Sequence, residues 1–387
     1  MNYKISIYLE SPVCISQNHK TGNEISTLDY ITGRTIRGAL AHEFIRQHGQ
    51  ESVADDAFKN LFLSSNVQFP DCYIRTGNVI PLSAGTCKYK PGFHAPGLDS
   101  HGVRDLLFEH SLYSVNSLDI NKLPRRCAEK ECNAPFDRFP GYYFKSSSTA
   151  FELQRVAKRF LTRNQVSEIF LSARKPFTLE VLEEQQNFDA LITENSYQHL
   201  IDAMGSTHNL RIGSAKSRGL GQVCIEVSKT ADDARDSVPE RFREFNDLFN
   251  PHTPDMMWFS ITLQSNSILL DELLRFKTEL TVGDLIDAVS LSDDEQQMLK
   301  FFSPVRSWTA TSLIAGWNAA HKLPRENELA IVKGSVFVFN SDDANVDRLV
   351  LGSALDKIEK AGIGERLNEG FGRIRVCDEF HWEVSKK

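Results

Sequence analysis

A glycine-rich, cationic stretch leading into a β-prone run occurs twice in this chain, each time after a helical pattern. The first copy runs from Arg211 to Val223 and holds Gly213, Gly219 and Gly221 with Ser214, Ser217, Lys216 and Arg218, and no carboxylate. The second, weaker and shorter, is Glu369-Gly-Phe-Gly-Arg-Ile-Arg-Val376, with Gly370 and Arg373. The helical patterns are Tyr197 to Met204 and Leu351 to Lys360. Self-similarity constrains architecture more than any local propensity, and here it predicts two like halves. Glycines let such a loop take positive φ and approach a ligand closely. Its successive N–H groups can form an anion-binding concavity, and its cations add charge-assisted bonds to phosphate. For one such loop alone, a mobile hairpin with solvated charges is the competing reading.

Strand-like alternation over Tyr3 to Leu9 opens the first half. A helix follows, with Thr32, Gly33 and Thr35 as candidate caps and Ala39, Leu40, Phe44 and Ile45 at helical spacing. Arg34 and Arg37 fall in its first turn, where the helix dipole disfavours cations unless a phosphate or carboxylate sits between them. From about 85 to 143 regular periodicity fades, and so long an irregular stretch calls for a clamp. Cys87, His101, Cys127 and Cys132 are candidate metal ligands, with His94 and Cys72 as substitutes for His101 and Cys87. Three thiolates and one imidazole suit structural zinc, and the Cys127 to Cys132 spacing fits a ligand pair. Phe151 to Asn164 reads as an amphipathic helix, and Glu168 to Ser172 and Lys175 to Val181 as paired strands.

The second half repeats the order: strand Met257 to Leu263, helix Thr281 to Ala288, strand Leu329 to Phe339 broken at Gly334, helix, glycine loop, strand. Strand, helix, paired strands, helix, strand is the split-βαβ pattern. The expected fold is therefore α+β: two tandem ferredoxin-like (split βαβ) domains, the first with a Cys/His-rich zinc-binding insertion. Residues 1–228 are expected to form the first domain, 229–255 a linker that is partly helical near Arg241 to Phe249, and 256–387 the second. The 387 residues suit two domains. Seven cysteines without a secretory signal predict a reducing, cytoplasmic setting, and no apolar run approaches the roughly 18 residues of a membrane span. A net charge of −7 excludes a surface that binds nucleic acid everywhere, but not one basic groove on an acidic subunit.

On these residues each half resembles the RAMP superfamily of CRISPR proteins, whose mark is an RRM-like fold ending in a glycine-rich loop. Gly213 to Gly221 and Asn368 to Gly372 are similar to that loop, and Tyr30 to Ala41 to the family's first-helix segment. The run from Pro81 through Cys87, His101 to Asp105, Cys127 and Cys132 resembles the insertion of the type III-D effector subunit that caps the 5′ tag of the CRISPR RNA (crRNA). The resemblance implies crRNA binding without catalysis in a prokaryotic cytoplasm. The RNA would lie on Arg211, Gly213, Ser214, Lys216, Ser217, Arg218, Gly219 and Gly221, with Arg34 and Arg37 bordering the groove and Gly370 and Arg373 on the second loop. It implies the large polymerase-like subunit and the RAMP backbone subunits as partners. No Walker loop, zinc-protease helix or nucleophile elbow is present. His19 and His42 are the candidate bases for the alternative, a metal-independent RAMP endoribonuclease. A zinc-stabilised scaffold without RNA is the third reading.

Overall fold

The computed structural model describes residues 2–16, 24–64, 67–75, 77–94, 97, 99–119, 123, 126–127, 129, 131–146, 150–166, 173–193, 196–230, 237–318 and 323–384. Alternation dictates the first strand, β1 (Asn2–Leu9): Tyr3, Ile5, Ile7 and Leu9 are fully buried, while Lys4, Ser6 and Tyr8 face the other side. The rest of the first unit is α1 (Gly33–His48), β2 (Tyr73–Ile74), β3 (Lys158–Val166), β4 (Ala173–Leu182), β5 (Asn187–Thr193), α2 (Ser196–Met204), β6 (Thr207–Arg211) and β7 (Gln222–Thr230). Its antiparallel sheet runs β6-β7-β1-β5-β2. Ile36, Leu40 and Phe44 of α1 and Tyr197 and Leu200 of α2 join the buried side of β1 in one core.

The second unit comprises α3 (Val238–Phe249), β8 (Met257–Leu263), α4 (Asp293–Lys300), β9 (Ser303–Trp308), β10 (Val336–Ser341), α5 (Arg348–Ala361) and β11 (Ile374–Val376). Its antiparallel sheet runs β9-β10-β8-β11. In both units the opening strand lies between the closing strand and the strand before the last helix. The first unit adds β6 beyond its closing strand.

Two expectations change. The helix read over Phe151 to Asn164 is instead the strand Phe151–Gln154 and β3, which pairs with β4 from Lys158 opposite Leu182 onward. Its apolar pairs satisfy both periods, and the partner strand, supplied from later in the sequence, decides between them. The Lys175 to Val181 strand lies within β4; residues 167–172 are outside the described set. Second, α3 falls in the stretch read as a linker, yet it carries Val238, Phe242, Phe245 and Phe249 into the second core. Asn246 brackets Trp258 there, accepting its N–H and donating to its carbonyl, each at 2.9 Å. Phe337 and Phe339 are core residues of the same unit.

The insertion joins both units. Its helix Leu107–Ser114 places Leu107 and Leu112 in the second core. His381 donates to the Asp105 carboxylate at 3.0 Å and meets the Thr262 hydroxyl at 2.9 Å, all three buried. Lys333 of the second unit reaches the first. Its Nζ lies 3.3 Å from the Tyr30 ring centroid and 5.0 Å from those of Tyr73 and Tyr142, within cation–π range. It also donates to the Tyr142 hydroxyl at 2.6 Å and lies 3.6 Å from the Asp29 carboxylate. Burial lowers the Lys333 ammonium to about 8, against the opposing pull of Asp29 and Asp71.

Ser292 caps α4 and Glu295 closes the capping box. The Lys357 ammonium at 2.7 and 2.8 Å outweighs burial and, with the Ser292 N–H and the Ser353 hydroxyl, holds the Glu295 carboxyl down at about 2. A carboxyl held lower in the folded than in the unfolded chain stabilises above its unfolded pKa, and that stability is lost as pH falls through the folded one. Glu295→Gln is therefore expected to cost about 1–2 kcal/mol at pH 7. In denaturant titrations the gap to the wild type should narrow below about pH 4.5.

A candidate nucleic-acid interface and a candidate metal centre

The first glycine loop connects β6 to β7 as a shaped hairpin. Gly213, Ala215, Gly219 and Gly221 all take positive φ, and Lys216–Arg218 forms one 3₁₀ turn. A Cβ on Gly213 would stand 2.3 Å from the Cys14 carbonyl oxygen, so only glycine allows that approach. The Ser214 N–H donates to that carbonyl at 2.8 Å and the Gly221 N–H to Pro12 at 2.9 Å. Ser16 and Ser214 hydroxyls meet at 2.9 Å.

This anchored backbone presents Arg211, Lys216, Ser217 and Arg218 to solvent. Arg211 donates to Gln222 and to the Lys216 carbonyl, each at 3.1 Å. The Arg218 guanidinium lies 5.6 Å from the Phe177 ring centroid, and Arg163 of β3 points at the Arg218 carbonyl at 3.4 Å. Desolvation lowers the Lys216 ammonium from its ordinary value. Among the described residues no carboxylate forms an ion pair with Arg163, Arg211, Lys216 or Arg218. Four cations gather at one anchored loop with no ion-pair partner among the described residues, an arrangement that could receive an anion.

The second loop is the same structure with different charges. It begins at Gly364, not at Asn368, and matches the first over nine residues. Gly364, Arg366, Gly370 and Gly372 take positive φ where Gly213, Ala215, Gly219 and Gly221 do, and Leu367–Glu369 forms the same 3₁₀ turn. The Glu365 N–H donates to Ile268 and the Gly372 N–H to Asn266, repeating the bonds to Cys14 and Pro12. The glycine spacing, six residues then two, is visible in the sequence, but a reading keyed on cations misses the copy's start. Leu367, Asn368 and Glu369 stand where Lys216, Ser217 and Arg218 do.

This second loop is docked against the first unit. Buried Glu369 accepts from Arg37 at 2.8 Å and from Arg325 at 3.0 Å. A Cβ on Gly33 would sit 1.8 Å from the Phe69 carbonyl oxygen and 2.8 Å from that of Glu369. Gly370 packs similarly close on Phe69 and Asp71. Arg34 donates to the Ala315 carbonyl at 3.1 Å, and Arg373 to the Leu191 carbonyl at 2.8 Å. The structure thus separates the candidate residues into two sets. Arg211 and Gly213 to Gly221 form the exposed loop, whereas Arg34, Arg37, Gly370 and Arg373 meet in the seam between the units. The anion required beside Arg37 is the Glu369 carboxylate. His42 is exposed on α1, and His19 lies outside the described residues.

In the insertion, one ligand atom from each of Cys87, His101, Cys127 and Cys132 lies within 4.8 Å of all the others. Cys87 and Cys132 sulfurs are 3.6 Å apart, and His101 Nδ1 is 3.2 Å from Cys127 Sγ. Tetrahedral coordination with bonds of about 2.3 Å to sulfur and about 2.0 Å to nitrogen has edges of roughly 3.5–3.8 Å, so the four residues could hold one metal ion. Burial raises the Cys87 thiol, but the Lys90 and Tyr89 N–H groups and the neighbouring thiols bring it down to about 7. Burial pushes Cys127 up to about 11. Of the substitutes, His94 stands against Gly102 and Cys72 is buried in the first core.

A family model described as the RAMP superfamily matches residues 6–224, more than half of the chain. The chain belongs to the RAMP superfamily. The matched residues run from within β1 to the opening of β7 and include the first loop and the insertion; the second unit of this RAMP protein lies beyond them. No curated protein matches by sequence. Among solved structures, a chain titled as the type III-B Cmr-beta complex bound to cognate target RNA is 11% identical with a TM-score of 0.43, covering 87% of this chain and 86% of that one. Thermus thermophilus Cas6 is 8% identical with a TM-score of 0.33, covering 97% of each. The mixed α+β architecture with its small antiparallel sheets is consistent with the ferredoxin-like folds of RAMP proteins. Among the described residues no helix is long and apolar enough to cross a membrane.

The first loop's glycines should differ in their tolerance of a side chain. Gly219 faces open space, so Gly219→Ala is expected to cost only the positive-φ strain of about 1–2 kcal/mol. Gly213→Ala adds a backbone collision and should lower a urea midpoint distinctly further.

Proposed function

We propose that this RAMP protein is a non-catalytic crRNA-binding subunit of a type III CRISPR effector complex. Two tandem ferredoxin-like domains would place the first glycine loop on the 5′ tag of the crRNA, and the subunit would contact the large polymerase-like subunit and the RAMP backbone subunits in a prokaryotic cytoplasm. One contrast carries the reading. Two loops share one backbone, but the docked copy has an acid in its turn and the exposed copy has cations that no described carboxylate pairs. Lys216 and Arg218 would meet phosphates, with Arg211 and Arg163 beside them, and backbone N–H groups would complete the cradle. Single-stranded RNA fits such a loop better than a duplex groove does. A structural zinc on Cys87, His101, Cys127 and Cys132 would tie together the insertion's loops beside its small apolar cluster around Phe93, Phe139 and Tyr143. It would supply folding energy and no chemistry.

Lys216→Ala with Arg218→Ala is expected to weaken binding of crRNA bearing the 5′ tag and to flatten the slope of log K against log salt by about 1.4, at roughly 0.7 for each single-strand phosphate no longer neutralised. The melting temperature should stay unchanged, because both side chains are exposed. A parallel loss of stability would reduce the loop to a structural element. Incubating repeat RNA with wild type and His42→Ala tests the endoribonuclease alternative, for which cleavage abolished by the substitution would be decisive.

Elemental analysis of the purified chain should find one zinc per molecule, lost in Cys87→Ser/Cys132→Ser together with part of its thermal stability. A metal-free wild type of equal stability would remove the zinc from this reading.

A further inference from the structure

Between β8 and the short helix Val282–Asp287, the chain makes an exposed turn at Leu270 to Lys277. Leu273 and Leu274 are 72% and 76% exposed there, and Phe276 is 40% exposed. Asp271 fixes the turn by accepting the Leu273 and Arg275 N–H groups, each at 2.9 Å, and pairing with the Arg275 guanidinium at 2.8 Å. Leu274 takes φ +60°, a conformation that glycine or asparagine adopts at less cost. Neither folding nor solubility favours a leucine at that position. Local rules broken without internal compensation are expected at functional surfaces.

The charge around the turn says what covers it. Beside the leucines lies a cleft of about 460 Å³ lined by Asp271, Glu272, Asp284 and Asp287 against Arg275 and Lys277. Both cations are already neutralised, Arg275 by Asp271 and Lys277 by Asp284 at 2.6 Å. Glu272 and Asp287 of the lining have no ion-pair partner among the described residues. This field repels a polynucleotide, so the occupant is not RNA. Desolvated apolar anchors within a charged rim are the anatomy of a protein interface.

We infer that the Leu270 to Lys277 turn is the docking surface for a neighbouring protein subunit that presents an apolar pocket rimmed by lysine and arginine. Leu273 and Leu274 enter the pocket, and the partner's cations meet Glu272 and Asp287. The inference rests on the reading of the chain as a subunit of a larger assembly, and it assigns the contact to a face distinct from the cationic loop.

The test co-expresses this chain with the large polymerase-like and backbone subunits of its own effector complex and follows the assembly by size-exclusion chromatography. Three variants are compared: Leu273→Ser/Leu274→Ser, Glu272→Lys/Asp287→Lys and Leu274→Gly. The two double variants are expected to drop out of the complex, with apparent affinity at least about tenfold lower, as loss of a buried anchor requires. Binding of tag RNA by the isolated chain should be unchanged. Leu274→Gly should weaken assembly while keeping or raising the melting temperature, which separates docking from folding. If wild type and all variants assemble equally, the inference falls and the subunit reading stands. If the wild type associates with no subunit, that reading falls and takes the inference with it. Concentration-dependent self-association of the isolated wild type, abolished by Leu273→Ser/Leu274→Ser, would make a second copy the occupant and overturn the proposal.

Discussion

Lys333 is the pin between the two units. A single ammonium from the second unit stands among three tyrosine rings, two from the first unit and one from the insertion, and donates to the hydroxyl of the third. A desolvated cation–π contact of this kind is worth about 2 kcal/mol or more, and its direction fixes which faces can meet. Next to it Asp71, raised to about 6 by burial, accepts the Gly33 N–H at the start of α1. The second glycine loop closes over the same point. The seam is therefore polar and specific, whereas each unit's own core is apolar.

Against that seam the divergence of the two loops makes physical sense. Both keep the first and last glycines because a Cβ there would strike a backbone carbonyl, while Gly219 answers only to its positive φ. The residues between them carry no such constraint. An acid in the copy facing Arg37 and Arg325 neutralises two partly buried cations. Lysine and arginine in the other copy leave a positive surface that no described carboxylate neutralises.

Much of this is legible in the sequence where short-range rules operate. The β1 alternation, the Thr32 cap of α1, the break at Gly334 and the likeness of the two glycine loops follow from residue order alone. The four metal-ligand candidates follow from composition and spacing, and the structure brings them together. What is illegible depends on distant partners. The β3 segment has helical spacing, and β4 makes it a strand. Arg34 and Arg37 look like anion ligands, which is chemically right for Arg37, but its anion is Glu369, more than three hundred residues away. The membership of α3 in the second core depends on Trp258 and β8, which no linker-like composition discloses.

The missing side chain of Gly33 has a mechanical consequence. With no Cβ at that point, the backbones of Phe69 and Glu369 close on the helix start without slack. Together with the Lys333 pin, this makes the molecule a caliper. The cation-bearing hairpin and the leucine-bearing turn sit on different units that this contact ties together. Any ligands of the hairpin and of the turn would therefore be held at a spacing that the close approach at Gly33 sets.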